Sequence, residues 1–120
     1  MTALIALDWG TSSLRGFLVD SDGTVLETRA SRHGIQNLPA AGAEGFGQAF
    51  VSLCGEWVKQ HDIRAAVACG MVGSAQGWLE APYVPCPADT HSLASRAVCV
   101  QAPLGVEITI APGLSYVPEG

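Results

Sequence analysis

The sequence predicts an α/β fold whose mixed sheet starts as an antiparallel three-stranded meander and continues through α–β units. Three observations carry this. Two apolar runs, at 3–7 and 14–19, and a third strand-like run at 24–30 follow in quick succession, joined by turn-forming stretches. Phe46, Phe50, Leu53 and Trp57 then recur every three or four positions, the stripe of an amphipathic helix. Another apolar run, 64–69, comes directly after that helix; a strand–helix–strand crossover is right-handed and leaves its two strands parallel.

Taken in order, 3–7 is apolar at every position, the pattern of a central strand covered on both faces. The run 14–19 is of the same kind, with Leu14 and Leu18 on one face and Phe17 and Val19 on the other. Asp20-Ser21-Asp22-Gly23 suits a tight reversal with glycine at the positive-φ position. The third strand carries Glu27 and Arg29 on one face and reads as an edge strand, where charge discourages stray pairing. A Gly/Ala/Pro-rich connection, 34–42, leads to a helix over 43–60, whose first turns Gly45 and Gly47 weaken. Beyond the strand at 64–69, "GWLEAPYVPCP" is too rich in Gly and Pro for a long element. A short helix over 89–96 and strands at 97–101 and 106–111 complete the reading; no internal repeat or low-complexity tract is visible.

Composition narrows the function classes. The 120 residues, 48% apolar and 14% charged, fit one well-covered core and exclude disorder. A net charge of −5 argues against a nucleic-acid partner, which requires a basic stripe. No apolar run is long enough to span a membrane, and "MTALIALDWG" lacks the features of a signal peptide. Cys54, Cys69, Cys86 and Cys99 form no C-x-x-C pair and have no His partner nearby, so the sequence predicts reduced, mostly buried thiols of a cytoplasmic protein and no zinc site. His33, His61 and His91 stand in no motif and receive no role.

The chemistry concentrates in "ALDWGTSSLRG". Asp8 falls where the first strand ends, Gly10 lacks a Cβ, and Thr11, Ser12 and Ser13 carry hydroxyls. A turn of that composition can aim backbone N–H groups and hydroxyls into one concavity, an anion cradle that a phosphate can approach closely at Gly10. Asp8 would repel a phosphate unless a cation lay between them, and hard oxygen ligands favour Mg²⁺ held through water. Arg15 can add positive charge there or serve in a structural salt bridge. The same residue types also make an ordinary hairpin turn. Position between two central strands favours the ligand site.

"ALDWGTSSLRGFLVD", followed by "GMVGS", "GW", "APY" and "PGL", is similar to the 2-dehydro-3-deoxygalactonokinase family, within the actin-like ATPase, or ribonuclease H-like, superfamily of sugar kinases, hexokinases and Hsp70 chaperones. The matching blocks run over 5–15, 70–83 and 112–114, so the resemblance covers nearly the whole chain. The D-x-G-T element belongs to the superfamily at large; "GMVGS..GW..APY" is the specific part and separates this family from other sugar or metabolite kinases.

The resemblance implies an actin-like ATPase domain and phosphoryl transfer from ATP to the terminal hydroxyl of a 2-keto-3-deoxy sugar acid. It implies that Gly10, Thr11, Ser12, Ser13 and Arg15 meet the ATP phosphates and that Asp8 helps hold Mg²⁺. Family members contain two such domains with ATP in the cleft between them. Residues 1–120 are therefore expected to form the amino-terminal one, with the adenosine pocket and the catalytic carboxylate beyond Gly120 and little activity in this domain by itself. A non-catalytic binding or assembly role for the domain is the alternative of a different class.

"CGMVGSAQGW" has its own logic. Ligands of open α/β sheets bind at the carboxyl ends of strands, and Gly73 and Gly77 permit sharp turns there. Ser74 and Gln76 supply neutral hydrogen-bonding groups, while Trp78 and Tyr83 supply flat apolar walls, a combination suited to a sugar acid. By analogy with related sugar kinases, Gly73, Ser74, Gln76, Trp78 and Tyr83 are the substrate candidates. The plainer alternative is that Met71, Val72 and Trp78 pack the core.

Overall fold

The computed structural model describes residues 3–74, 77–79, 84–85, 97–111 and 114–115. Strands β1 (Leu4–Trp9), β2 (Leu14–Val19) and β3 (Val25–Ser31) precede helix α1 (Gly42–His61). Then come β4 (Ala65–Gly70), a 3-10 turn (Met71–Gly73), β5 (Val84–Pro85), β6 (Val98–Gln101), a second 3-10 turn (Pro103–Gly105), β7 (Glu107–Ile110) and β8 (Leu114–Ser115). Six strands form one mixed sheet in the order β3-β2-β1-β4-β7-β6, and β5 pairs with β8 separately. The predicted short helix at 89–96, Cys86 and His91 lie outside the described residues, as do Pro112 and Gly113 of the "PGL" block.

The meander forms as predicted: β1 pairs antiparallel with β2, and β2 with β3, across a bulge beside Leu18 and Val19. The reversal between β2 and β3 turns at Gly23 (φ 90°). The crossover through α1 makes β4 parallel to β1, from Ile5 opposite Ala66 to Trp9 opposite Gly70. β7 then adds parallel to β4 and β6 antiparallel to β7. Three parallel strands, β1, β4 and β7, thus end at the same edge of the sheet, which is where the loop 10–13 and the turn 71–74 emerge.

Helix α1 buries the predicted stripe of Phe46, Phe50, Leu53 and Trp57, joined by Ala49, Cys54 and Val58, against Ile5, Leu7, Leu14, Leu18, Ile108 and Ile110. It ends where Asp62 takes the left-handed conformation (φ 50°) and returns its N–H to the Val58 carbonyl. β3 lies at the sheet edge as predicted. Its charges are used inward as well: Arg29 Nε donates to Glu27 Oε2 at 2.7 Å, and the guanidinium sits 4.8 Å from the Trp57 ring. That hydrogen bond holds the Glu27 carboxyl below its ordinary range.

Two expectations need correction. Central strands were predicted to be covered on both faces, yet among the described residues α1 covers one face only. On the other, Ala6, Phe17 and Val19 are half-buried and Val67 is 42% exposed. The thiols were predicted to be mostly buried; of the three described, Cys54 is buried whereas Cys69 and Cys99 are exposed. Period-two patterning tells which residues share a face but not whether anything lies on that face. Burial pushes the Cys54 thiol up to about 12, which leaves it inert.

Candidate phosphate-binding edge

Asp8 stands exposed near the carboxyl end of β1, level with Arg15 on β2 and with Cys69 on β4. These three side chains share the sheet face opposite α1: Asp8 and Arg15 each lie between two buried neighbours, and Cys69 alternates with buried Ala66 and Ala68. Among the described residues no ion pair joins Asp8 to Arg15, so neither charge is consumed by the other. Cys69 Sγ lies 3.6 Å from the Leu7 carbonyl, and its thiol is raised first by desolvation and then by the Asp8 charge.

The loop after β1 is ordered by its own carbonyls. Gly10 N–H donates to the Ser13 carbonyl at 2.9 Å, while the Gly10 and Thr11 carbonyls accept from Ile35 N–H (3.0 Å) and Gln36 N–H (3.1 Å). Among the described residues the Thr11 and Ser12 amides donate to no protein group, nor do the hydroxyls of Thr11, Ser12 and Ser13 hydrogen-bond to one. With the Gly10, Thr11 and Ser13 carbonyls occupied and, among the described residues, the Thr11 and Ser12 amides and the three hydroxyls not, the loop has donors available for an anion. Beside it, Asp8 supplies one carboxylate oxygen set. Mg²⁺ keeps several waters and needs only one or two carboxylates plus phosphate oxygens, so this donor set fits it. Among the described residues no three His, Cys, Asp or Glu side chains converge into a site for a tightly caged metal.

The second motif reaches the same edge by a different route. β4 stops at Gly70, whose backbone (φ 99°, ψ −152°) is accessible in practice only to glycine. Gly73 is buried in the 3-10 turn that follows, and Ser74 Oγ donates to the Met71 carbonyl at 2.7 Å. Trp78 N–H then bonds the Val72 carbonyl at 2.9 Å, folding the segment back on itself. The Trp78 ring stacks on Phe46 (5.5 Å between centroids, 16° between planes) and meets Trp9 edge-on at 5.9 Å. Trp9 points to the α1 side of the sheet, so Trp78 and Asp8 lie on opposite faces. One face of Trp78 is therefore occupied by the core, while the residue also borders a groove of about 780 Å³ with Glu44, Gln48, Gln101 and Pro103. The core-packing alternative holds for Val72, fully buried, but not for Met71, which is 38% exposed. Gln76 and Tyr83 lie outside the described residues.

The structure thus gathers Asp8, Gly10, Thr11, Ser12, Ser13 and Arg15 with Gly73 and Ser74 at one sheet edge. Sequence reasoning passed over Trp9, Cys69 and the segment 33–37. Trp9 is fully buried, and its indole Nε1 donates to the His33 carbonyl at 2.9 Å. Nothing in a strand pattern signals such a partner.

Comparison with known proteins adds an independent line. A family profile described as 2-keto-3-deoxy-galactonokinase matches residues 8–120. A protein of Rhizobium meliloti (strain 1021), assigned as the 2-dehydro-3-deoxygalactonokinase DgoK1, is 34% identical over 110 residues, covering 92% of this chain and 34% of the relative. The 2-dehydro-3-deoxygalactonokinase of Escherichia coli (strain K12) is 36% identical over 119 residues, covering 95% of this chain and 36% of the relative. A crystal structure of a Sinorhizobium meliloti protein assigned to the same enzyme superposes with a TM-score of 0.75 at 34% identity, over 97% of this chain and 37% of that one. The chain therefore spans about a third of the length of the relatives it matches.

Proposed function

Since the chain belongs to the 2-keto-3-deoxy-galactonokinase family, we propose that it forms the phosphate-binding part of a sugar-acid kinase, with the ribonuclease H-like topology of actin-like ATPases. The reaction on this reading is transfer of the γ-phosphoryl group of ATP to the terminal hydroxyl of 2-dehydro-3-deoxygalactonate. The observation that carries it is the loop 10–13: among the described residues its Gly10, Thr11 and Ser13 carbonyls are engaged, while the Thr11 and Ser12 amides and the hydroxyls of residues 11–13 are not, beside an Asp8 carboxylate that joins no ion pair.

Each residue then has a defined task. Thr11 and Ser12 amides, with the hydroxyls of Thr11, Ser12 and Ser13, bind the oxygens of the terminal phosphates, and Gly10 lets them approach the backbone. Arg15 adds positive charge on the same face. Asp8 would hold Mg²⁺, which would supply neutralisation of charge on the phosphates. Phosphoryl transfer depends on such positioning and charge neutralisation more than on covalent chemistry. Gly73, Ser74 and Trp78, with Gln76 and Tyr83, are assigned to the sugar acid. The adenosine pocket and the base that activates the acceptor hydroxyl are assigned to the two-thirds of the relatives' length that this chain does not match.

A chimera tests this: the chain replaces the matching 36% of the Escherichia coli relative. The folded chimera is expected to consume ATP only when 2-dehydro-3-deoxygalactonate is present. A folded chimera that leaves ATP untouched with that sugar acid contradicts the kinase reading.

A further inference from the structure

We propose that residues 33–37 act as a brace that holds the loop 10–13 in its anion-binding form, and that Gly34 is the positioning residue of that brace. The inference rests on the phosphate-binding reading of the loop. Three ties join brace to loop: Trp9 Nε1–H to the His33 carbonyl (2.9 Å), Ile35 N–H to the Gly10 carbonyl (3.0 Å) and Gln36 N–H to the Thr11 carbonyl (3.1 Å). The brace is itself a closed turn. Asn37 Nδ2 donates to the Arg32 carbonyl at 2.7 Å, Asn37 N–H to the Gly34 carbonyl at 2.9 Å, and His33 Nδ1 lies 3.0 Å from the Asn37 carbonyl, so that nitrogen carries the proton.

Gly34 is where the two segments touch. A Cβ placed on it would lie 2.4 Å from Ser13 N, 2.4 Å from Thr11 O and 2.5 Å from Ser12 C. All three are backbone atoms, which cannot swing aside as a side chain does. Its φ is outside the left-handed region, so glycine is required here for space and not for conformation. By taking up the Gly10 and Thr11 carbonyls, the brace removes the negative ends of two peptide dipoles from the concavity. A brace displaced by one methyl group would release them and leave the donors misaligned.

The test uses the 120-residue chain, tripolyphosphate with Mg²⁺, and amide resonances of Thr11 and Ser12. Wild type should show saturable shifts at both. Gly34→Ala should keep the circular dichroism of the wild type and bind about tenfold more weakly or worse, as expected for donors misplaced by about 1 Å. Hydrogen exchange in the wild type gives a second readout that needs no variant. Saturation with tripolyphosphate should slow exchange at Ile35 and Gln36, although neither amide faces the ligand. Equal binding by wild type and Gly34→Ala, or shifts at Thr11 and Ser12 without slower exchange at Ile35 and Gln36, overturns the brace and leaves the phosphate site standing. Absence of any shift in wild type overturns the phosphate reading, and the brace proposal with it.

Discussion

Replacing Gly70 by alanine tests the geometry by which the two motifs are brought together. Gly70 combines a backbone that alanine rarely adopts with a Cβ position 2.6 Å from the Trp9 carbonyl oxygen and 3.4 Å from Asp8 Oδ1. Backbone strain of that kind costs about 1–3 kcal/mol. Displacing a paired strand to relieve the clash costs about another 1–3 kcal/mol, the range seen for overpacking. The sum, about 2–6 kcal/mol, is large beside the roughly 5–15 kcal/mol that stabilises a typical domain. Gly23→Ala is the matched control: φ is 90°, but nothing lies within 4 Å of the added atom, so strain acts alone. Urea unfolding followed by circular dichroism compares the two. Gly70→Ala should be the less stable variant by about 2 kcal/mol, or about 1 M in midpoint at the slopes usual for small proteins. Equal midpoints would refute the claim that the ends of β1 and β4 are pressed together beside Asp8.

Two further outcomes are expected. Hydrogen bonds with Asp20 first and Thr24 second lower Asp22 to a pKa of about 2 from 3.8. A depressed carboxyl pKa adds stability above its unfolded value and loses it as pH falls through the folded one, so this contribution should fade between about pH 4 and pH 2. Carboxyl NMR titration of Asp22 should find its midpoint near 2, and a midpoint near 3.8 would remove the turn hydrogen bonds as its cause. Arg29→Lys should cost about 1 kcal/mol, because an ammonium cannot both lie flat on Trp57 and bond Glu27. Thermal unfolding should drop by about 4 °C, and an unchanged midpoint would show that the stack contributes nothing.

How far the sequence could be read follows from which signals are periodic. β1, β2 and α1 announce themselves through period two and the Phe46–Trp57 stripe, and their bounds shift by a residue or two only. The parallel β4 follows from crossover handedness, while the polar excess around Gly10 singles out the candidate loop because a simple turn has no need of it. Gly34 is different. Its contact with Thr11, Ser12 and Ser13 joins two loops, and loop-to-loop approach leaves no repeat in the chain. Trp9 likewise gives its burial away but not its bond to His33. Flatness and the analogy with related sugar kinases make Trp78 a substrate wall, with core packing as the alternative; stacking on Phe46 takes one of its faces into the core. Coverage of the second sheet face was misread because Ala6, Phe17 and Val19 are apolar without being packed by a helix.

The central claim is that loop 10–13 and Asp8 together bind phosphate with Mg²⁺. The measurement that tests it most directly is the affinity of the chain for ATP, with and without Mg²⁺, in wild type and Asp8→Asn, read at the Thr11 and Ser12 amides. The account predicts that Mg²⁺ tightens binding to the wild type and not to Asp8→Asn, whose neutral side chain no longer repels the phosphates when the ion is absent. An equal gain from Mg²⁺ in both proteins, or binding that leaves the Thr11 and Ser12 amides undisturbed, would contradict it.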